Sequence, residues 1–179
     1  MGKRVNFSDS NLELHEITQH HTDTENALKE YYGVDGKREF IPVKFIGYSA
    51  EEVSIEFRSR IEELEKTSSL TLLSSLEAKL RIDYLKRCYQ KGKDGLSKDF
   101  RAIHKQKYHR ASLEEDILET WKKHYPEKKL LISELLGALK YRHWLAHGRY
   151  WEPKLGRKYD YSYIYSLIEQ AYKNLPLKS

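Results

Sequence analysis

The sequence predicts an all-α fold: a helical bundle of about four to six helices behind a short, irregular N-terminal extension. Three observations carry that prediction. Apolar residues recur at helical spacing over most of the chain beyond residue 48. Ser49-Ala50-Glu51-Glu52 and Ser112-Leu113-Glu114-Glu115 match the capping box, in which a serine and a glutamate satisfy each other's free backbone N–H groups at a helix start. Only four prolines and nine glycines punctuate 179 residues, few for a chain of short strands and tight turns.

The elements follow in order. Residues 1–48 form an accessory segment that packs on a helical domain spanning 49–179. Leu12, Ile17, Ala27, Leu28 and Tyr31 mark one or two short helices ending at Gly33. Val34-Asp35-Gly36-Lys37 reads as a turn. Phe40 to Gly47 reads as a short extended segment, because Pro42 is excluded from a central strand. Val53, Phe57, Ile61 and Leu64 continue the first capping box to about Glu65, and Thr67-Ser68-Ser69 is placed to cap or break the chain there. Leu70, Leu73, Leu76, Leu80, Tyr84 and Cys88 give the next helix, closed by Gly92, with Glu77 and Arg81 as an i,i+4 ion pair on its other face. Leu96, Phe100 and Ile103 mark a short helix inside the most basic stretch, Lys91 to Arg110. Ile117, Trp121 and Tyr125 follow the second capping box, and Pro126 stops that helix. Lys129 opens the most apolar helix, whose girth of leucines predicts the central, buried position. Gly148 ends it as the C′ residue. A loop over 152–158 leads to a last, tyrosine-rich helix starting near Asp160.

Bulk properties narrow the function. A net charge of +5 and a pI near 9.0 suit a polyanionic partner. One cysteine, Cys88, excludes an internal disulfide and a cysteine-rich metal site, and its apolar neighbours mark it as core. No apolar run approaches a membrane span and no secretory core follows the first methionine, so the protein is expected in the cytoplasm, off the membrane. No Gly-rich phosphate loop, nucleophile elbow or dinucleotide fingerprint is present. His143 and His147 have a spacing that suits zinc, but Trp144 stands where a zincin needs its glutamate, and no cofactor or metal is expected.

The richest stretch is Tyr141-Arg142-His143-Trp144-Leu145-Ala146-His147-Gly148-Arg149-Tyr150-Trp151. It is the one place where a histidine follows an arginine after four to six intervening residues. Arginine grips phosphate through a planar charged fork, and histidine moves protons near neutral pH. Together they suffice to cleave RNA without metal, since the ribose 2′-hydroxyl is a built-in nucleophile. Arg142 is the expected phosphate clamp and His147 the acid–base residue, with His143 in support. Arg149, Tyr150, Arg101 and Lys105 are candidates to hold RNA. A purely structural role would instead pair Arg142 with a carboxylate such as Glu77.

Arg142-His143-Trp144-Leu145-Ala146-His147 resembles the Arg-x4-6-His signature of HEPN (higher eukaryotes and prokaryotes nucleotide-binding) domains, in which a polar residue usually follows the arginine. The resemblance covers the helices from about Ser49 to Asn174. It implies a helical bundle that forms a two-fold homodimer, with two copies of the motif meeting to build one ribonuclease site. It also implies a setting among toxins and phage-defence effectors, with an antitoxin or defence-system partner; a non-catalytic module that binds nucleotide, RNA or a protein is the other use of the fold. The spacing agrees with a dimer, because Arg142 and His147 lie about 140° apart around one helix and a C2 axis would bring a second pair opposite. Toxins that pair with nucleotidyltransferase antitoxins often carry Arg-x4-His-x-Tyr; here Arg149 holds the tyrosine's place and Tyr150 follows it.

Overall fold

A computed structural model describes residues 4–8, 10–34, 36 and 41–178. It is all-helical, with six α-helices among the described residues: α1 (Leu14–Tyr32), α2 (Ala50–Tyr89), α3 (Gly95–Lys107), α4 (Glu119–His124), α5 (Lys129–Ala146) and α6 (Tyr161–Asn174). A six-residue π-helical segment, Leu113–Leu118, runs directly into α4.

The spine is α2, 40 residues long, which at helical rise spans about 60 Å. Its first cap is the predicted one: the Ser49 side chain accepts from Glu52 N, and the Glu52 carboxylate accepts from Ser49 N. The predicted break at Thr67-Ser68-Ser69 does not occur. Thr67 and Thr71 hydroxyls fold back onto carbonyls one turn earlier, at Glu63 and Thr67, an arrangement that satisfies the side chain without ending the helix. Ser68 bonds the Nδ1 of buried His21 at 2.9 Å, and Ser75 donates to Leu12 O at 2.8 Å. These small polar residues mark where the N-terminal segment crosses α2.

Among its described residues the N-terminal segment contains a single α-helix, α1, which packs along α2 and ends at Gly33 in the left-handed conformation, φ +66°. Ile17 enters the main core. Val43–Phe45 is a 3-10 turn and not the extended segment expected there; Pro42 takes its N-cap position, and Phe45 is buried among Tyr31, Tyr32 and Tyr48. Asp35 and Lys37 of the predicted turn, and Phe40, lie outside the described residues.

The core gathers Leu72, Leu73, Leu76 and Leu80 of α2, Phe100 of α3, Ile117 and Trp121 before and in α4, Ile132 and Leu135 of α5, and Ile164 and Ile168 of α6. Cys88 is buried there, as its neighbours predict, and burial pushes its thiol up to about 12. The helix expected at the centre, α5, lies to one side: α2 is the helix that touches α1, α3, α5 and α6. Leu130 at the start of α5 is 77% exposed and Leu131 and Leu136 are half-buried. An apolar girth does not by itself say which sides find partners.

Local signals close the fold as expected. Gly148 adopts φ +81°, and Arg149 N donates to Trp144 O at 3.3 Å, the six-to-one bond of a Schellman ending. Asp160 caps α6 by accepting from Tyr163 N at 2.9 Å. The C-terminus is clasped by a buried pair: Arg87 donates to Asp83 at 2.8 Å and to Pro176 O at 2.6 Å, and Lys178 N donates to Asp83.

Candidate functional site

The Arg142 motif occupies the last turn of α5, and its residues divide between two places. Arg142 and His143 line a cleft of about 520 Å³ walled by α2, α5 and the connection from α3 to α4. His147 is the C-cap residue, exposed, beyond the cleft. Its ring centroid lies 4.2 Å from that of His143, so the two imidazoles touch through their helical i,i+4 relation. Trp144 Nε1 donates to Trp151 O at 2.7 Å, tying the segment after α5 back onto the helix. Tyr141 is buried between Trp144 and Tyr159, stacked on both. The aromatic residues of the motif therefore set the backbone, and Arg142, His143 and His147 are the polar side chains it leaves part-exposed or exposed.

The sequence marks His109 and Arg110 only as part of the basic stretch Lys91 to Arg110, and joins neither them nor Arg81 to Arg142. Arg81 from α2 and His109 and Arg110 from the α3–α4 connection join Arg142 and His143, against Glu77 and Glu114. Three arginines and two histidines thus share one hollow with two carboxylates. The signal was weak because the residues come from three separate elements, and Arg81 is accounted for locally by its i,i+4 pair with Glu77.

Glu77 organises the arginines. One carboxylate oxygen accepts from Arg81 Nε at 2.9 Å; the other lies 3.3 Å from Arg142 Nη2. Arg81 also donates to Ala111 O at 3.1 Å, which fixes the connection against α2. The Arg142–Glu77 contact is the pairing that a structural role for Arg142 calls for. It is not sealed: the side chains keep 32% and 21% of their surface. Arg142 Nε is buried with no hydrogen-bond partner among the described residues, and a buried unmet donor costs about 1–3 kcal/mol.

The wall that supplies His109 and Arg110 is strained. Tyr108 has φ +52° and ψ −131°, a region that costs a side-chain-bearing residue on the order of 1–3 kcal/mol. The hydroxyl of buried Tyr84 holds it there, donating to Tyr108 O at 2.9 Å. On the other side Ser112 caps the next helical segment, accepting from Glu115 N, while Ser112 N donates to Asp116.

The remaining candidates lie apart. Arg149 makes a two-pronged ion pair with Glu63 of α2, at 2.6 and 2.9 Å, and the hydrogen bond from Arg149 holds the Glu63 carboxyl below its ordinary range. Tyr150 is 85% exposed and meets Trp151 edge-on. Arg101 donates to Gly92 O at 2.6 Å, closing the turn between α2 and α3. Lys105 is exposed on α3. Lys107, in the same basic stretch, is bound to Asp116. No group of three or more metal-ligating side chains is gathered among the described residues, and none of their helices is long and apolar enough to cross a membrane.

No protein-family model, curated protein or solved structure matches this chain.

Proposed function

We propose that the chain is a metal-independent endoribonuclease of the HEPN type. Its site is built from Arg142 and His147 and completed by the same residues of a second copy across a two-fold axis. The observation that carries this reading is the convergence on one turn of α5: Arg142 enters a cleft rich in arginine and histidine, and the His143 and His147 rings touch beside it. A phosphodiester bound by Arg142 would place its charge where guanidinium groups are concentrated.

The reaction needs no external reagent. His147 takes the proton of the 2′-hydroxyl as that oxygen attacks phosphorus. The bond from phosphorus to the 5′-oxygen breaks, and a second histidine returns a proton to the departing oxygen. The products are a 2′,3′-cyclic phosphate and a 5′-hydroxyl. Arg142 stabilises the charge on the phosphoryl oxygens, the contribution expected to weigh most in such a site. Toxin and phage-defence settings, with an antitoxin or defence-system partner, follow from the same resemblance. Incubation with RNA in EDTA tests the reading: cyclic-phosphate ends are the expected product, and intact RNA would sink it.

A second reading has its own support in the Arg142–Glu77 pair. There the chain is a plain helical interaction protein, and Arg142 is a structural cation paired with Glu77. It predicts that Arg142→Ala lowers stability and removes no turnover.

A further inference from the structure

The basic cleft has a neighbour. Below the α3–α4 connection lies a second hollow of about 550 Å³, walled by Val5, Tyr89, His104 and Tyr108. Both hollows are within the size of small-ligand sites. His109 and Arg110 line both, so the two hollows adjoin at those residues. Their chemistry differs. The first holds Arg81 and Arg142; the second holds Tyr89, His104 and Tyr108, with Gln106 and Lys107.

The aromatic end is ordered. His104 meets Tyr89 and Tyr108 edge-on, with ring centroids 5.8 and 5.7 Å away. Arg4 lies over Tyr89, 5.1 Å from its centroid, and Val5 N donates to the Tyr89 hydroxyl. Tyr89 is therefore a covered wall, whereas Tyr108 keeps 46% of its surface. The strained backbone of Tyr108, clamped by Tyr84, holds that ring at the rim of the hollow. Strain of this kind persists where the surrounding structure fixes a residue for use.

A basic pocket joined to an aromatic one matches the two halves of a nucleotide: a charged phosphate and a flat base that stacks on any aromatic face. We propose that the two adjoining hollows act as one groove and bind one nucleotide of a single-stranded RNA, its phosphate at Arg81, Arg110 and Arg142 and its base on Tyr108. The choice of RNA rests on the ribonuclease reading above. The groove adds a subsite that the motif does not contain, and it places the strand on the α3–α4 connection.

Fluorescence anisotropy with a fully 2′-O-methylated RNA 12-mer tests it, because that probe binds without being cut. Tyr108→Gly removes the ring and relieves the backbone, so it is expected to fold at least as stably as the parent. It should weaken the 12-mer roughly tenfold and leave competition by inorganic pyrophosphate unchanged. Arg110→Ala should weaken both, and Lys173→Ala, a charge-matched change on α6, neither. Equal affinity for the 12-mer in the parent, Tyr108→Gly and Arg110→Ala would overturn the groove, as would no binding by the parent. The ribonuclease reading fails separately: if the 12-mer binds with the predicted pattern while unmodified RNA stays intact, the groove stands and the catalyst does not. If RNA is cut with unchanged KM in both variants, the reverse holds.

Discussion

Gly137 sits mid-way along α5, where one oxygen atom decides whether a methyl group helps or harms. A Cβ at this position would lie 2.3 Å from the Tyr159 hydroxyl oxygen and 3.6 Å from the ring carbon that bears it. To reach ordinary contact the hydroxyl must retreat by about 1 Å. Its ring cannot swing freely, being buried and stacked on Tyr141 at 5.4 Å. Overpacking of this kind costs about 1–3 kcal/mol, and exchanging glycine for alanine inside a helix returns about 1 kcal/mol. Gly137→Ala should therefore destabilise by about 1 kcal/mol as the difference of those terms. Tyr159→Phe removes the colliding atom and leaves the 3.6 Å contact, which is ordinary packing. In that background Gly137→Ala should stabilise by about 1 kcal/mol. The coupling, about 2 kcal/mol, exceeds the error of additivity, about 0.5 kcal/mol. Urea denaturation of the four proteins, read as midpoint shifts at constant m, measures it. The same sign of effect in both backgrounds would refute the placement of Tyr159 over α5.

Other outcomes follow from the same geometry. Asp83→Ala leaves Arg87 buried without its main partner and should cost about 3–5 kcal/mol, read by thermal or urea unfolding; a loss under about 1 kcal/mol, the range of a surface pair, would contradict the buried clasp. Burial lowers the pKa of His21 from the ordinary value of 6.5. The unfolded chain then binds the extra proton first, so the stability His21 contributes is whole above that value and falls as pH drops below it; His21→Gln should flatten this part of the stability–pH profile. Arg142→Ala should shift stability by about 1 kcal/mol or less, since its pair with Glu77 is only part-buried and Glu77 keeps Arg81, while cleavage falls at least a hundredfold, by roughly the loss of one charge-stabilising donor. If one site is shared between two copies, an excess of the Arg142→Ala, His147→Ala double variant mixed with the parent should depress activity per parent chain severalfold through mixed two-fold dimers; no depression would place the whole site in one chain.

What the sequence makes legible is what short-range chemistry decides. Ser49, Gly148 and Asp160 announce helix ends because each satisfies backbone groups within a few residues. Thr67, Ser68 and Ser69 were ambiguous for the same reason, since their hydroxyls serve equally well to cap a helix or to fold back onto it. The partner that gives Ser68 its place, His21, is 47 residues away. The rank of the helices depends on such distant contacts too, and so α2, with a mixed surface, became the spine in place of the more apolar α5. Within the site, the Arg142–His143–His147 cluster was visible as a local pattern. That Arg81, His109 and Arg110 join it was not, because folding alone brings the second half of α2 and the α3–α4 connection to the end of α5.

The assignment of the 2′-hydroxyl as nucleophile, with His147 as its base, is tested most directly by a DNA strand carrying a single ribonucleotide, incubated with the protein in EDTA. The expected result is one cut, on the 3′ side of that ribose, with a 2′,3′-cyclic phosphate end and a rate lowered at least a hundredfold in His147→Ala, within the range for loss of a general base. Cleavage at deoxy positions, dependence on added metal, or an unchanged rate in His147→Ala would contradict it.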